Sequence, residues 1–538
     1  MCGNVVDVIG GEVFPATLHL RDGRIADMQR GGGPFDTFLL PGFVDSHIHI
    51  ESSMLPPREF SRLALPHGTV ACVSDPHEIA NVLGVAGVQF MLAEAAQTPM
   101  TISLGAPACV PVTPFETAGG RLGPRAVANL LDDPRIGYLS EVCNYPAVIA
   151  GDRDTLAKIF AAQARGKPVD GHAPGLRGPD AASYAQAGVS TDHECMDADE
   201  AYGKIALGMH VQIREGSAAR NFAALDMLID AYPERCMFCS DDRHPDDLLR
   251  GHINALVRRA VADGLDLMNV LQAACVNPVR HYNLPVGLLR LGDPADCIEV
   301  DSLETFAVLR TILRGRVVAQ KGQCLLPFAP PAERPNAFAA CLKAPADFAV
   351  PARGGRIHVI EAIDGQLATN RRIEAAPALG GMLLSDPSRD LLKIAVVNRY
   401  ADAPPAMAFI RGFGLRDGAI ASSVAHDSHN VIAVGVGDRA LARAVNLIIE
   451  HRGGLALATD SRETILPLPI AGLMSDQPGN VVAEKYANLS RAAKDLGSSL
   501  SAPYMTLSFM ALLVIPQLKL SDRGLFDTNT FSLIDLFV

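Results

Sequence analysis

Eight short strand-like runs recur over residues 42–241 of this 538-residue chain, with helix-like stretches in several of the gaps. They fall at 42–49, 70–76, 101–106, 136–142, 168–172, 189–193, 210–215 and 236–241. Helical patterning is visible at 155–165 and 225–231. Parallel strands need a crossover between them, and a helix is the usual one. Eight strand–helix units therefore predict an α/β fold, a (β/α)8 TIM-like barrel over 41–284.

Both flanks look different. Thr17-Leu18-His19-Leu20-Arg21-Asp22-Gly23-Arg24-Ile25 alternates and breaks at Asp-Gly, a hairpin signal. Short strands with Gly and Asp turns return at 287–300 and 308–318. A small β-sandwich domain assembled from 1–40 and 285–330 accounts for both pieces. Prolines from Pro327 to Pro335, with Pro345 and Pro351 beyond, predict a linker over 331–354. Residues 355–538 read as a separate α+β domain, with helices near 438–451 and 483–496, expected to cover the barrel mouth.

Composition narrows the function. Hydrophobic residues make up 49% and charged residues 20%, which excludes wholesale disorder. Lys plus Arg number 47 against 59 Asp plus Glu, a net charge of −12 that disfavours nucleic acid as a partner. The longest apolar stretch, 505–516, is too short to span a bilayer, so no membrane association is expected. Residues 1–21 show no signal-peptide pattern, and eleven scattered cysteines suit reduced thiols in a cytoplasm.

The polar residues at the run ends carry the chemistry. In His47-Ile48-His49 the two imidazoles share one face of a strand. Glu141, His172, His193 and Asp241 each close a later run. Barrel active sites lie at the C-terminal ends of strands. Four histidines and two carboxylates there are too many for one tetrahedral ion and suit two divalent ions, with Glu141 the bridging candidate. No thiolate takes part, which points to Mn²⁺, Fe²⁺ or Zn²⁺. Cys236 and Cys239 face opposite sides of their strand and have no partner pair. The His-x-Glu/Pro-Cys-x-x-Cys pattern of zinc base deaminases is missing.

Pro-Gly-Phe-Val-Asp-Ser-His-Ile-His-Ile-Glu-Ser-Ser-Met (41–54) resembles the opening of the amidohydrolase superfamily barrel. Its last four residues resemble the adenine deaminase family within it. So do Val-Ser-Asp-Pro-His-Glu-Ile-Ala-Asn-Val (73–82), Asp-Gly-His-Ala-Pro-Gly-Leu (170–176), Ser-Asp-Asp-Arg-His-Pro-Asp-Asp-Leu (240–248) and Ala-Ser-Ser-Val-Ala-His-Asp-Ser-His-Asn (421–430). The likeness runs from about residue 15 to 527. The segment before the first motif is short for the family, and the tail from Thr528 departs from it.

The resemblance implies a binuclear metal enzyme, with Mn most expected, that converts adenine to hypoxanthine and ammonia in purine salvage, acting on the C–N bond of a cyclic amidine. A homodimer is the expected assembly. A cyclic amide or N-acyl hydrolase is the alternative within the superfamily. Attack at purine C6 needs a proton delivered to N1. Glu78 is the candidate acid, with His77 orienting it and Asp75 holding His77. Asp241 would bind metal, accept the proton of the attacking hydroxide and pass it to the leaving ammonia. Arg214 and Ser217 are candidate substrate contacts, with a salt bridge to Glu215 the other reading of Arg214, and so are His426 and His429 on a loop reaching over the barrel, with an extra metal site or a Ser/His-rich turn as the alternatives. Amide hydrolysis has no need of an N1 acid, so the Asp-Pro-His-Glu segment favours the deaminase.

Overall fold

The computed structural model describes residues 1–538. Eight parallel strands occupy the eight predicted places: Phe43–Ile48, Thr69–Ser74, Thr101–Ala106, Ile136–Val142, Val169–Gly171, Thr191–Asp192, His210–Arg214 and Cys236–Cys239. The first five pair in sequence order as one parallel sheet, and the last three as another. Backbone bonds span both seams. Ser190 N–H donates to Val169 O at 2.8 Å, and Asp241 N–H donates to His47 O at 2.9 Å. The strands are short and buried on both sides, as helix-covered parallel strands are. Intervening helices start where the sequence signals them. Pro57 and Pro124 open two, and the Asp152 and Asp197 carboxylates cap two more by accepting from Thr155 and Glu200 N–H.

The flanking strands of both ends join in one hydrogen-bonded eight-stranded sheet, which folds over a core of its own. Phe38–Pro41 is the joint, parallel to Cys2–Asp7 and antiparallel to Cys297–Val300. Alternation divides its residues between two cores. Val5, Leu18, Ile25 and Ile312 fill the sheet's own concave core, while Val6, Leu40, Ile298 and Leu313 face the main core.

The C-terminal region holds a second eight-stranded sheet, ordered Thr369–Ala375, Arg356–Ala362, Ala406–Arg411, Leu392–Val397, Val431–Gly435, Ala419–Ser422, Gly454–Ala458 and Glu463–Pro467. Ala395, Val397 and Ala433 turn to the helix Asp438–Glu450. Ile394, Val396 and Ile432, one residue out of step, join the same core cluster as the parallel strands. The Pro-rich segment is not a free linker. Phe348 is fully buried under that helix, Ala339 N–H donates to Arg399 O at 2.7 Å, and Val350–Pro351 pairs with Met382–Leu383. One buried aromatic ring is enough to anchor a stretch that composition alone assigns to a spacer. No helix is long and apolar enough to cross a membrane.

Candidate metal centre and active site

The six predicted donors converge. His47 Nε2 lies 3.6 Å from Asp241 Oδ1 and 3.8 Å from Glu141 Oε2. His49 Nε2 lies 3.2 Å from Asp241 Oδ1. Glu141 Oε2 is 3.2 Å from both His172 Nδ1 and His193 Nε2, and those nitrogens are 3.3 Å apart. The donors thus fall into two groups, His47/His49/Asp241 and Glu141/His172/His193, with Glu141 reaching between them. Asp241 sits at φ 53°, a left-handed conformation that costs a non-glycine residue free energy. The neighbouring strand holds it there, since Asp241 O also accepts from His49 N–H at 3.3 Å.

These residues fit metal ions. His47 Nε2, the ring atom that faces Asp241 and Glu141, is buried without a hydrogen-bond partner. Such a group costs about 1–3 kcal/mol unless something uses it. Nitrogen and oxygen donors from His47, Glu141 and His193, and from His47, His49 and Asp241, cluster within 4.8 Å of one another. An all-N/O set of this kind is suited to divalent first-row ions.

A second cluster abuts the first. Asp75 accepts from His77 N–H at 3.0 Å and lies 3.0 Å from its Nδ1, which turns the ring toward Glu141 Oε1 at 3.5 Å. Glu78 follows on the helix His77–Leu83. Its carboxylate meets two histidines from the far end of the chain. His426 Nδ1 lies 2.7 Å from Oε1, and His429 Nε2 contacts Oε2. Ala425 N–H donates to His429 Nδ1 at 3.2 Å, which leaves Nε2 as the protonated nitrogen facing Glu78. Burial opposes ionisation of Glu78, but His426, His77 and His429 together hold its carboxyl well below the ordinary range. Burial also disfavours the His426 cation, yet Glu78 and Asp242 outweigh it and raise His426 to about 9. For His429 burial wins, and it falls to about 4.

The cavity between the clusters is closed by Leu367, Phe509, Leu512 and Val514. Phe509 stacks on His426 with centroids 4.8 Å apart. Two expected substrate contacts do not line this cavity. Arg214 is buried, donating from Nη1 to Asp241 Oδ2 at 2.7 Å and from Nη2 to Glu194 Oε2 at 3.0 Å. Its guanidinium is spent on a donor and its neighbour. Ser217 Oγ donates to Asp247 at 2.6 Å, on the wall of a separate cleft.

Three acidic lining residues escaped the sequence reading. Glu194 follows His193 and by strand alternation faces away. The strand ends at Asp192, so alternation has stopped and both side chains reach the cavity. Asp242, bonded by Ser52 Oγ, and Asp427, raised by burial to about 6, likewise sit on turns with no periodicity to read.

The amidohydrolase family model matches residues 38–318, and the adenine deaminase C-terminal domain matches 366–532. A Salinibacter ruber protein named adenine deaminase is 55% identical over the whole chain and 99% of its own length. The chain belongs to the adenine deaminase family of amidohydrolases. Proteins of the same name from a Sulfurovum species and Methanosarcina acetivorans are 55% and 48% identical, each over 99% of both chains. In this adenine deaminase family member the first match holds all six candidate donors and Glu78, and the second holds His426, His429 and the apolar wall.

Proposed function

We propose that this chain hydrolyses adenine to hypoxanthine and ammonia in purine salvage, on a (β/α)8 barrel capped by the C-terminal domain. The observation that carries this reading is the Glu78–His426–His429 cluster beside the donor set. An amide hydrolase has no use for a second proton-handling group there, whereas a purine ring needs one at N1.

His47, His49, Glu141, His172, His193 and Asp241 would hold two divalent ions. Mn²⁺ is proposed, with Fe²⁺ or Zn²⁺ as alternatives on the same donor chemistry. When bound, the ions supply a water acidic enough to attack at neutral pH. Asp241, its other oxygen fixed by Arg214, takes the water proton and returns it to the departing amine. Glu78 is ionised at rest, so the proton for N1 starts on His426, whose pKa keeps it charged at neutral pH, and passes from its Nδ1 through the Glu78 carboxyl to N1. Asp75 keeps His77 turned between the two clusters. Leu367, Phe509 and Leu512 exclude water and offer an apolar face to a planar base.

All eleven cysteines are unpaired, which supports a reducing, cytoplasmic setting. A homodimer is proposed from the family resemblance, and light scattering checks it. For the reaction, Mn-loaded protein is incubated with adenine and adenosine while ammonia is followed, and with dihydroorotate while ring opening is followed, since that hydrolysis releases no ammonia. Release from adenine alone is expected. Turnover of dihydroorotate without adenine would replace the deaminase by a cyclic amide hydrolase.

A further inference from the structure

Lys519 lies on the strand Leu518–Ser521 and is fully buried. Two other fully or nearly fully buried lysines have acidic partners, Lys204 with Asp192 and Glu200, and Lys393 with Asp438. Lys519 has none. Burial alone acts on it and pulls it down to about 7. A lysine kept in so unfavourable a place needs a reason, and its hydrogen bonds give one. Nζ donates to Leu367 O at 2.6 Å and to Phe509 O at 3.0 Å. Both residues line the catalytic cavity.

Phe509 ends the helix Pro503–Phe509, where backbone carbonyls lack partners within the helix. The three carbonyls at this end are all used across the roof. Ser508 O accepts from His426 N–H at 3.1 Å, Phe509 O from Lys519 and from Leu512 N–H at 3.2 Å, and Met510 O from Leu520 N–H at 3.0 Å. The Phe509 ring in turn stacks on His426, which holds Glu78. Leu367 comes from a different loop, just before the strand Thr369–Ala375. One amino group therefore ties together two segments that are more than a hundred residues apart, at the cavity end of a junction that Ser501 and Asp364 join at its other end.

We propose that Lys519 is a positioning residue: its amino group clamps the Leu367 and Phe509 carbonyls and so fixes the apolar wall on which the purine ring and the His426 imidazole are set. This rests on the reading above for the identity of the substrate. Two carbonyls need only two hydrogens, and a neutral amine supplies them as well as an ammonium. The role is therefore one of geometry rather than charge.

Lys519→Met keeps the length of the side chain and removes both bonds. With wild-type metal content, the KM for adenine is expected to rise about tenfold, equivalent to about 1.4 kcal/mol, with kcat changed much less. Phe509→Leu should act likewise, and the double variant should be little worse than either single one, because both loosen the same wall. Hydrogen exchange should quicken at 503–510 and 426–430 and stay unchanged across 392–397 and 431–435. An unchanged KM, multiplicative effects in the double variant, or faster exchange throughout the C-terminal sheet would each overturn the proposal. If Lys519→Met does not fold, Lys519→Gln carries the test, since its amide offers two hydrogens on a shorter arm: a KM between those of wild type and Phe509→Leu, with faster exchange confined to 503–510 and 426–430, supports the clamp, and faster exchange throughout the C-terminal sheet opposes it. Failure of wild type to release ammonia from adenine would remove the proposed function, and the exchange measurement would still decide the role of Lys519.

Discussion

The two sides of the cavity are built in different ways. The floor is six donors, each within one or two residues of the end of a short buried strand, and each placed by its own strand's register. The roof is His426, His429, Phe509 and Leu512, set on turns and a helix end and placed only because the C-terminal sheet turns one face into the common core. The floor is local and rigid. The roof depends on packing between chain segments 348 and 351 residues apart. In such a site the metal donors should tolerate changes in the roof, while proton handling should depend on both sides.

The largest effect should come from the floor. Glu141→Gln weakens the one donor shared by both groups. Elemental analysis should fall from about two ions per chain to one or fewer, with adenine turnover almost lost. Full occupancy and activity would remove Glu141 from the centre. Next comes the contact between the sides. Glu78→Gln should keep its metal and lose kcat on the order of 10²–10⁴-fold, the usual scale for a general acid. Metal loss would instead make Glu78 part of the floor and erase the distinction. Arg214→Gln tests support beneath the floor. It leaves Asp241 free to turn, so metal affinity should drop about 10–100-fold, the scale of outer-shell partners. A raised KM with unchanged affinity would restore Arg214 as a substrate contact.

The smallest effect is a pH dependence confined to the roof. His426 has a folded-state pKa of about 9 against an ordinary value of 6.5, so folding raises it. The stabilisation it contributes through Glu78 is fully present below about 6.5 and is lost as pH rises through about 9. The thermal stability of wild type should fall between those values, and His426→Asn should flatten the slope. An unchanged slope in the variant would assign the dependence to another group.

Much of the floor was legible beforehand because its chemistry obeys a period. His47 and His49 lie two apart on a strand, and the other donors close runs whose apolar residues mark the strand's extent. Glu194 was not legible because its strand is too short for the alternation rule to reach it. Arg214 was misplaced for another reason. A strand-end cation beside an acidic residue signals either a ligand contact or an internal pairing, and only the position of Asp241 just past the eighth strand decides between them.

The sequence by itself determined the eight strands, the β character of the two flanks and the candidate donors at the strand ends, because hydrophobic period and turn residues act over a few positions at a time. Tertiary structure alone decided that the flanks make one sheet, that Phe348 anchors a Pro-rich stretch, that Ser217 belongs to another cleft, and that Lys519 holds the roof. Each of these depends on which buried atoms meet across hundreds of residues. Such encounters are set by whole-core packing and by the need to satisfy every buried polar group, conditions that no local window of residues contains.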